Sequence, residues 1–199
     1  MSVFNLFLET GIKHILDING FDHILFILTL CAVYSLKQWK NVLVLITAFT
    51  IGHSLTLVLA TFNIINLSSE LVELLIAITI LLTALSNIIS KSSNFSVRFF
   101  IVRYFISFSF GLIHGLGFST FLRSMLGSQS SILKPLFAFN VGIEIGQLII
   151  VISMFLIIGI LSFIIKSVDI YKKWILSIVS IIISAYLIVI RFPINIFLN

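Results

Sequence analysis

Three of the four histidines in this chain fall inside or at the edge of long apolar runs, and two carboxylates share those runs. His23 directly follows Asp22, and His53 lies in Gly52-His53-Ser54. His114 is flanked by Gly111 and Gly115, and Glu144 by Gly142 and Gly146. An ionisable side chain in hydrocarbon costs about 2.5–3.5 kcal/mol on insertion scales, so a shared pocket explains five of them better than scatter does. Imidazole and carboxylate together suit a borderline divalent transition metal such as nickel, cobalt or zinc. No thiolate or thioether belongs to the set, which argues against Cu(I), and an all-oxygen Mg²⁺ or Ca²⁺ site needs no imidazole. Ligation competes with protonation, so the same groups can capture a cation and release it. Asp22, His23, His53, His114 and Glu144 are the candidate metal ligands. His14, Asp17, Ser54, Glu73, Asn140 and Gln147 form a supporting group that orients ligands or lines the approach.

Other readings of the same residues stand beside this one. A single membrane histidine serves as readily as a hydrogen-bonding link between helices. Glu73 and His14 lie near segment ends, where water can solvate them. The set could also hold a catalytic zinc with Asp22 or Glu144 as general base, in an intramembrane hydrolase or transferase acting on a lipid or lipid-anchored substrate. A Ser54–His53 pair is disfavoured because adjacent helical residues point about 100° apart. Neither G-x-S-x-G nor H-E-x-x-H occurs.

The elements that must position these groups follow from composition. Of 199 residues, 60% are hydrophobic and 10% charged, too few polar groups to cover a soluble domain. A membrane crossing needs roughly 20 apolar residues. Hydropathy gives six candidate spans, at about 20–36, 41–62, 71–90, 99–122, 136–165 and 170–192. Residues 1–19 mix Phe4, Leu6, Phe7, Ile12 and Leu16 with Glu9, Lys13, His14 and Asp17, which predicts an interfacial or re-entrant helix. The runs are continuously apolar rather than alternating, which excludes a transmembrane barrel. The expected fold is therefore all-α: a polytopic transmembrane helical bundle forming a single membrane domain over 1–199. The start of the chain, with Glu9 before its first basic residue Lys13, does not read as a cleavable leader. Cys31 is the only cysteine, so no internal disulfide forms.

The net charge of +5 does not imply nucleic acid, because the basic residues sit in short loops. Lys37, Lys40, Lys91, Arg98, Arg103, Lys166, Lys172 and Lys173 fall on one side, and Lys13, Arg123, Lys134 and Arg191 on the other. The positive-inside bias places the first side in the cytoplasm of a cell-membrane protein, with both termini outside. The five candidate ligands then reach similar depth, in the outer half. Asn140, Glu144 and Gln147 share one helical face, as do Thr47, Thr50 and Ser54. Lipid and the metal are the expected partners, and a homo-oligomer or a membrane partner is compatible with the sequence.

Four segments carry a resemblance. GIKHILDINGFDHILFILTL from Gly11, TAFTIGHSLTL from Thr47, FGLIHGLGFS from Phe110 and FNVGIEIGQL from Phe139 are similar, in order, to the motifs of the HupE/UreJ family of membrane proteins. The resemblance implies a small permease linked to nickel supply for hydrogenase and urease, with cobalt as a related substrate. It maps a G-x-D-H motif onto Gly20, Asp22 and His23, an H-G motif onto His114 and Gly115, and a G-x-E motif onto Gly142 and Glu144.

Overall fold

The computed structural model describes residues 2–65, 67–90, 97–126 and 132–192. They form eight α-helices and no strand among the described residues. In chain order these are α1 (Val3–Leu16), α2 (Asp22–Cys31), α3 (Trp39–Thr61), α4 (Ser69–Ile89), α5 (Val97–Gly117), α6 (Ser119–Leu126), α7 (Leu133–Ser162) and α8 (Val168–Arg191). Continuous apolar sequence favours helices because each satisfies its own backbone polar groups without water. Local signals set the starts: Ser2 Oγ accepts from Asn5 N at α1, and Ser68 Oγ accepts from Leu71 N at α4. Asn63, with φ of 57°, takes the left-handed conformation that ends α3, one that asparagine tolerates.

Five helices are long and apolar enough to cross a membrane. The second, third, fifth and sixth expected spans correspond to α3, α4, α7 and α8. The fourth ends at Gly117, short of the expected 122, and the chain turns at Phe118 into the short α6. Pro193, beyond the sixth span, lies outside the described residues.

The first expected span is realised differently. Its helix, α2, has ten residues and measures about 15 Å, half of a bilayer core. The fourteen residues of α1 add about 21 Å. Both run in the direction of α7. Gly142 of α7 meets Leu8 and Gly11, and Gly146 meets Ile12 and Ile15, so α1 follows α7 from its start. α2 begins beside Arg191 at the end of α8 and leads to Tyr34, whose carbonyl accepts from Lys172 near the start of α8. Together α1 and α2 run in the direction of α7, with a break at residues 17–21.

Small residues bring the helices together. A Cβ on Gly11 would lie 2.2 Å from the Phe139 carbonyl oxygen, and one on Gly142 2.2 Å from that of Leu8. Across α3 and α5, a Cβ on Gly52, Gly111 or Gly115 would come within 2.3 Å of a backbone oxygen of the facing helix. Such close approach substitutes for the hydrophobic drive that is absent between helices in lipid. Large apolar side chains such as Phe105, Phe137, Leu156 and Ile182 are exposed around the outside, as a lipid-facing surface requires.

The end of the bundle rich in basic residues has its own polar interior. Arg103, counted in the sequence among basic residues in short loops, lies inside α5, is 2% exposed, donates to Asn87 Oδ1 and lies over the Phe99 ring. Asn87 in turn donates to the Thr29 carbonyl, and the Thr29 hydroxyl pairs with Ser180. Lys173 donates to the carbonyl of Ser90. These bonds tie α2, α4, α5 and α8 at one end, leaving the other end to the histidines.

Candidate metal centre

All four histidines converge. His14 comes from the last turn of α1, His23 from the first turn of α2, His53 from α3 and His114 from the last turn of α5. Ring centroids lie 4.5 Å apart for His14–His23, 6.0 Å for His14–His53, 6.4 Å for His23–His53 and 5.1 Å for His23–His114. One ligating nitrogen from each of His14, His23 and His53 lies within 4.8 Å of the other two. Tetrahedral coordination with metal–nitrogen bonds of 2.0–2.1 Å sets nitrogens about 3.4 Å apart, so closure onto an ion needs only small rotations.

The nitrogens are free to ligate. Nε2 of His14, His23, His53 and His114, and Nδ1 of His53, are buried without a hydrogen-bond partner. A neutral imidazole has one N–H and one lone pair, so each of the four rings can offer one nitrogen to a cation. The tautomer at His114 follows from its neighbour. Its Nδ1 lies 2.8 Å from the Phe110 carbonyl oxygen and must carry the proton, which leaves the Nε2 lone pair facing inward.

The surrounding shell is aromatic. Phe49 lies 5.0 Å and Phe26 5.4 Å from the His114 ring, and Phe118 lies 4.0 Å from His14. Phe118 also stacks on Phe139 at 4.8 Å and 8°. Such a dry wall favours neutral imidazoles and strengthens their attraction for a cation. On the open side, a cavity of about 880 Å³ reaches His14 past Lys13, Asp17, Asn19 and Phe118. The break between α1 and α2 contributes as well, because the C-terminal carbonyl end of α1 carries partial negative charge at this level.

The carboxylates sit apart from the close imidazole group. Asp22 Oδ2 accepts from Arg191 at 3.0 Å, while its Oδ1 is buried without a partner. Asp22 adjoins His23 in the first turn of α2. Glu144 Oε1 accepts from Thr47 Oγ1 at 2.7 Å. Thr47 precedes His53 by six residues on α3, about 9 Å further from the open end. Gln147 pairs with Thr50 at 2.9 Å, so the two polar stripes do face each other across α3 and α7. Asn140 donates to Leu136 O and leaves its Oδ1 without a partner. Ser54 donates to the Thr50 carbonyl rather than to His53. Glu73 is at the rim, 3.5 Å from Arg191, and Asp17 accepts from Asn19 N within the interruption.

His14 is the member whose central position sequence reasoning missed. Its segment reads as too polar for a span and as an interfacial or re-entrant helix. The signal was Gly11, three residues before it, which pairs with Gly142 and brings α1 onto α7.

The family model described as HupE / UreJ protein matches residues 1–192 of the chain. The chain belongs to the HupE/UreJ family. No curated protein and no solved structure matches it. The matched stretch includes all four histidine-bearing segments.

Proposed function

We propose that this HupE/UreJ protein is a permease for a divalent transition metal, nickel or cobalt, which enters from the open cavity and is held by the imidazoles of His14, His23, His53 and His114. The observation that carries the reading is the set of buried, unpartnered imidazole nitrogens on four different helices. Imidazole donors suit nickel, cobalt and zinc, and membership of the family favours nickel and cobalt among them. His14 borders the cavity and makes the first contact, and the three deeper imidazoles complete the shell. Asp22 supplies a carboxylate beside them. Glu144 is the next station inward, where a cation or a proton is received from the centre.

The positive-inside bias of the basic residues at the opposite end supports an outer-half position for the imidazoles and inward movement of the metal. The chain offers no nucleotide-binding loop, so the drive is the membrane potential, an ion gradient or a partner. Uptake of radiolabelled nickel and cobalt into proteoliposomes tests the reading directly. Saturable uptake that His23→Ala and His114→Ala abolish supports it. Tight metal binding without uptake, accompanied by hydrolysis of a lipid substrate, favours the enzyme reading instead.

A further inference from the structure

Arg191 ends α8 and reaches across the outer end of the bundle to two carboxylates. Its NH1 donates to Asp22 Oδ2 at 3.0 Å, and its Nε lies 3.5 Å from Glu73 Oε2. NH1 also lies 3.3 Å from the Glu73 carbonyl oxygen. The two carboxylates differ in surroundings. The Asp22 side chain is 12% exposed, whereas that of Glu73 is 53% exposed. Asp22 keeps one oxygen buried without a partner, on the residue next to His23, and the Glu73 side chain is half exposed at the rim. One guanidinium against two carboxylates leaves this group with a net negative charge.

We propose that Arg191 is a displaceable counter-ion that sets the affinity of the metal centre: on arrival of a divalent cation, Asp22 leaves the guanidinium and turns to the metal, while Arg191 stays paired with Glu73. This rests on the metal-handling reading above and adds to it a residue outside the ligand set. A buried carboxylate next to His23 needs a partner before the cation arrives, because an unpaired buried charge is costly. A guanidinium that remains in place would repel the incoming ion. Glu73 resolves that conflict, since it lets Arg191 give up Asp22 without itself becoming unpaired. The pairing therefore keeps the empty centre intact and opposes metal at the same time, which favours capture and release over permanent binding.

The test is cobalt binding to the full chain in lipid nanodiscs, read by calorimetry and by the visible spectrum of the bound ion. Arg191→Gln is expected to bind cobalt about tenfold more tightly, since it removes a competitor worth one charged hydrogen bond. Glu73→Gln shifts Arg191 onto Asp22 and is expected to weaken binding about threefold. Asp22→Asn weakens it about tenfold, and adding Arg191→Gln to Asp22→Asn restores nothing. If Arg191→Gln does not fold, Arg191→Lys keeps the charge, loses the fork, and is expected to show a smaller gain in the same direction. Equal or weaker binding by both Arg191 variants, or a gain that persists without Asp22, overturns the proposal. Failure of the wild-type chain to bind cobalt at all would instead contradict the metal-handling reading beneath it.

Discussion

Imidazole nitrogens without partners, in a shell of phenylalanines, are an unstable arrangement unless something visits them. An isolated polar atom buried in an apolar environment costs about 1–3 kcal/mol, and each of the four rings carries such a nitrogen. Each ligand is therefore expected to matter separately. Replacement of His23, His53 or His114 by alanine should weaken cobalt binding by about a hundredfold or more, and His14→Ala should do so as well although it borders the cavity. Competition titrations on purified protein check this, and a His14→Ala variant that binds like wild type would remove α1 from the site. Glu144 differs, because its partner is Thr47 rather than a histidine. Glu144→Gln is expected to keep cobalt binding within about twofold while uptake into vesicles falls by about tenfold or more. Loss of binding in that variant would place Glu144 among the ligands instead. At this scale the sequence was informative about His23, His53 and His114, since an intramembrane histidine is conspicuous on its own. It was less so about His14, whose neighbours Lys13 and Asp17 suggest water. It was also silent on Arg191, whose partners lie 169 and 118 residues away.

Glycines decide how the elements meet. Gly111 and Gly115 let α5 lie against α3 so closely that His53 and His114 share a pocket, and Gly11 with Gly142 does the same for α1 and α7. Gly142→Leu is therefore expected to destabilise the protein by about 3 kcal/mol or more, since the new side chain meets backbone that cannot move aside. Gly159→Ala, whose Cβ would meet only Leu36 Cδ1 at 4.0 Å, should leave stability near wild type. Unfolding in detergent measures both, and equal effects would show that the close contact is not what holds α1. The long helices α3, α4, α7 and α8 were legible because apolar runs of that length admit little else. The interruption between α1 and α2 was not, because 20–36 reads as a span by itself and 1–19 as an interfacial or re-entrant helix, while their alignment depends on α7 and α8.

The whole molecule separates two polar interiors. One end gathers imidazoles, Asp22 and an open cavity, and the other gathers Arg103, Asn87 and the Lys173 ammonium among backbone carbonyls. Orientation decides whether the centre takes metal from outside. In a Cys31→Ala background, a cysteine at position 68 should react with an impermeant reagent on intact cells and one at position 37 only after permeabilisation. The opposite pattern would turn the cavity toward the cytoplasm and make the protein a candidate exporter. Charge counting predicts this arrangement because Lys and Arg in short loops resist translocation. The claim on which every scale depends is that one metal ion sits among the four histidines. The most direct measurement is an anomalous-scattering map of the protein crystallised with cobalt. The expected result is a single peak within coordinating distance of Nε2 of His14, His23 and His53, with His114 or Asp22 completing the shell. A map with its only peak at the rim beside Glu73, or with no peak, would contradict the account.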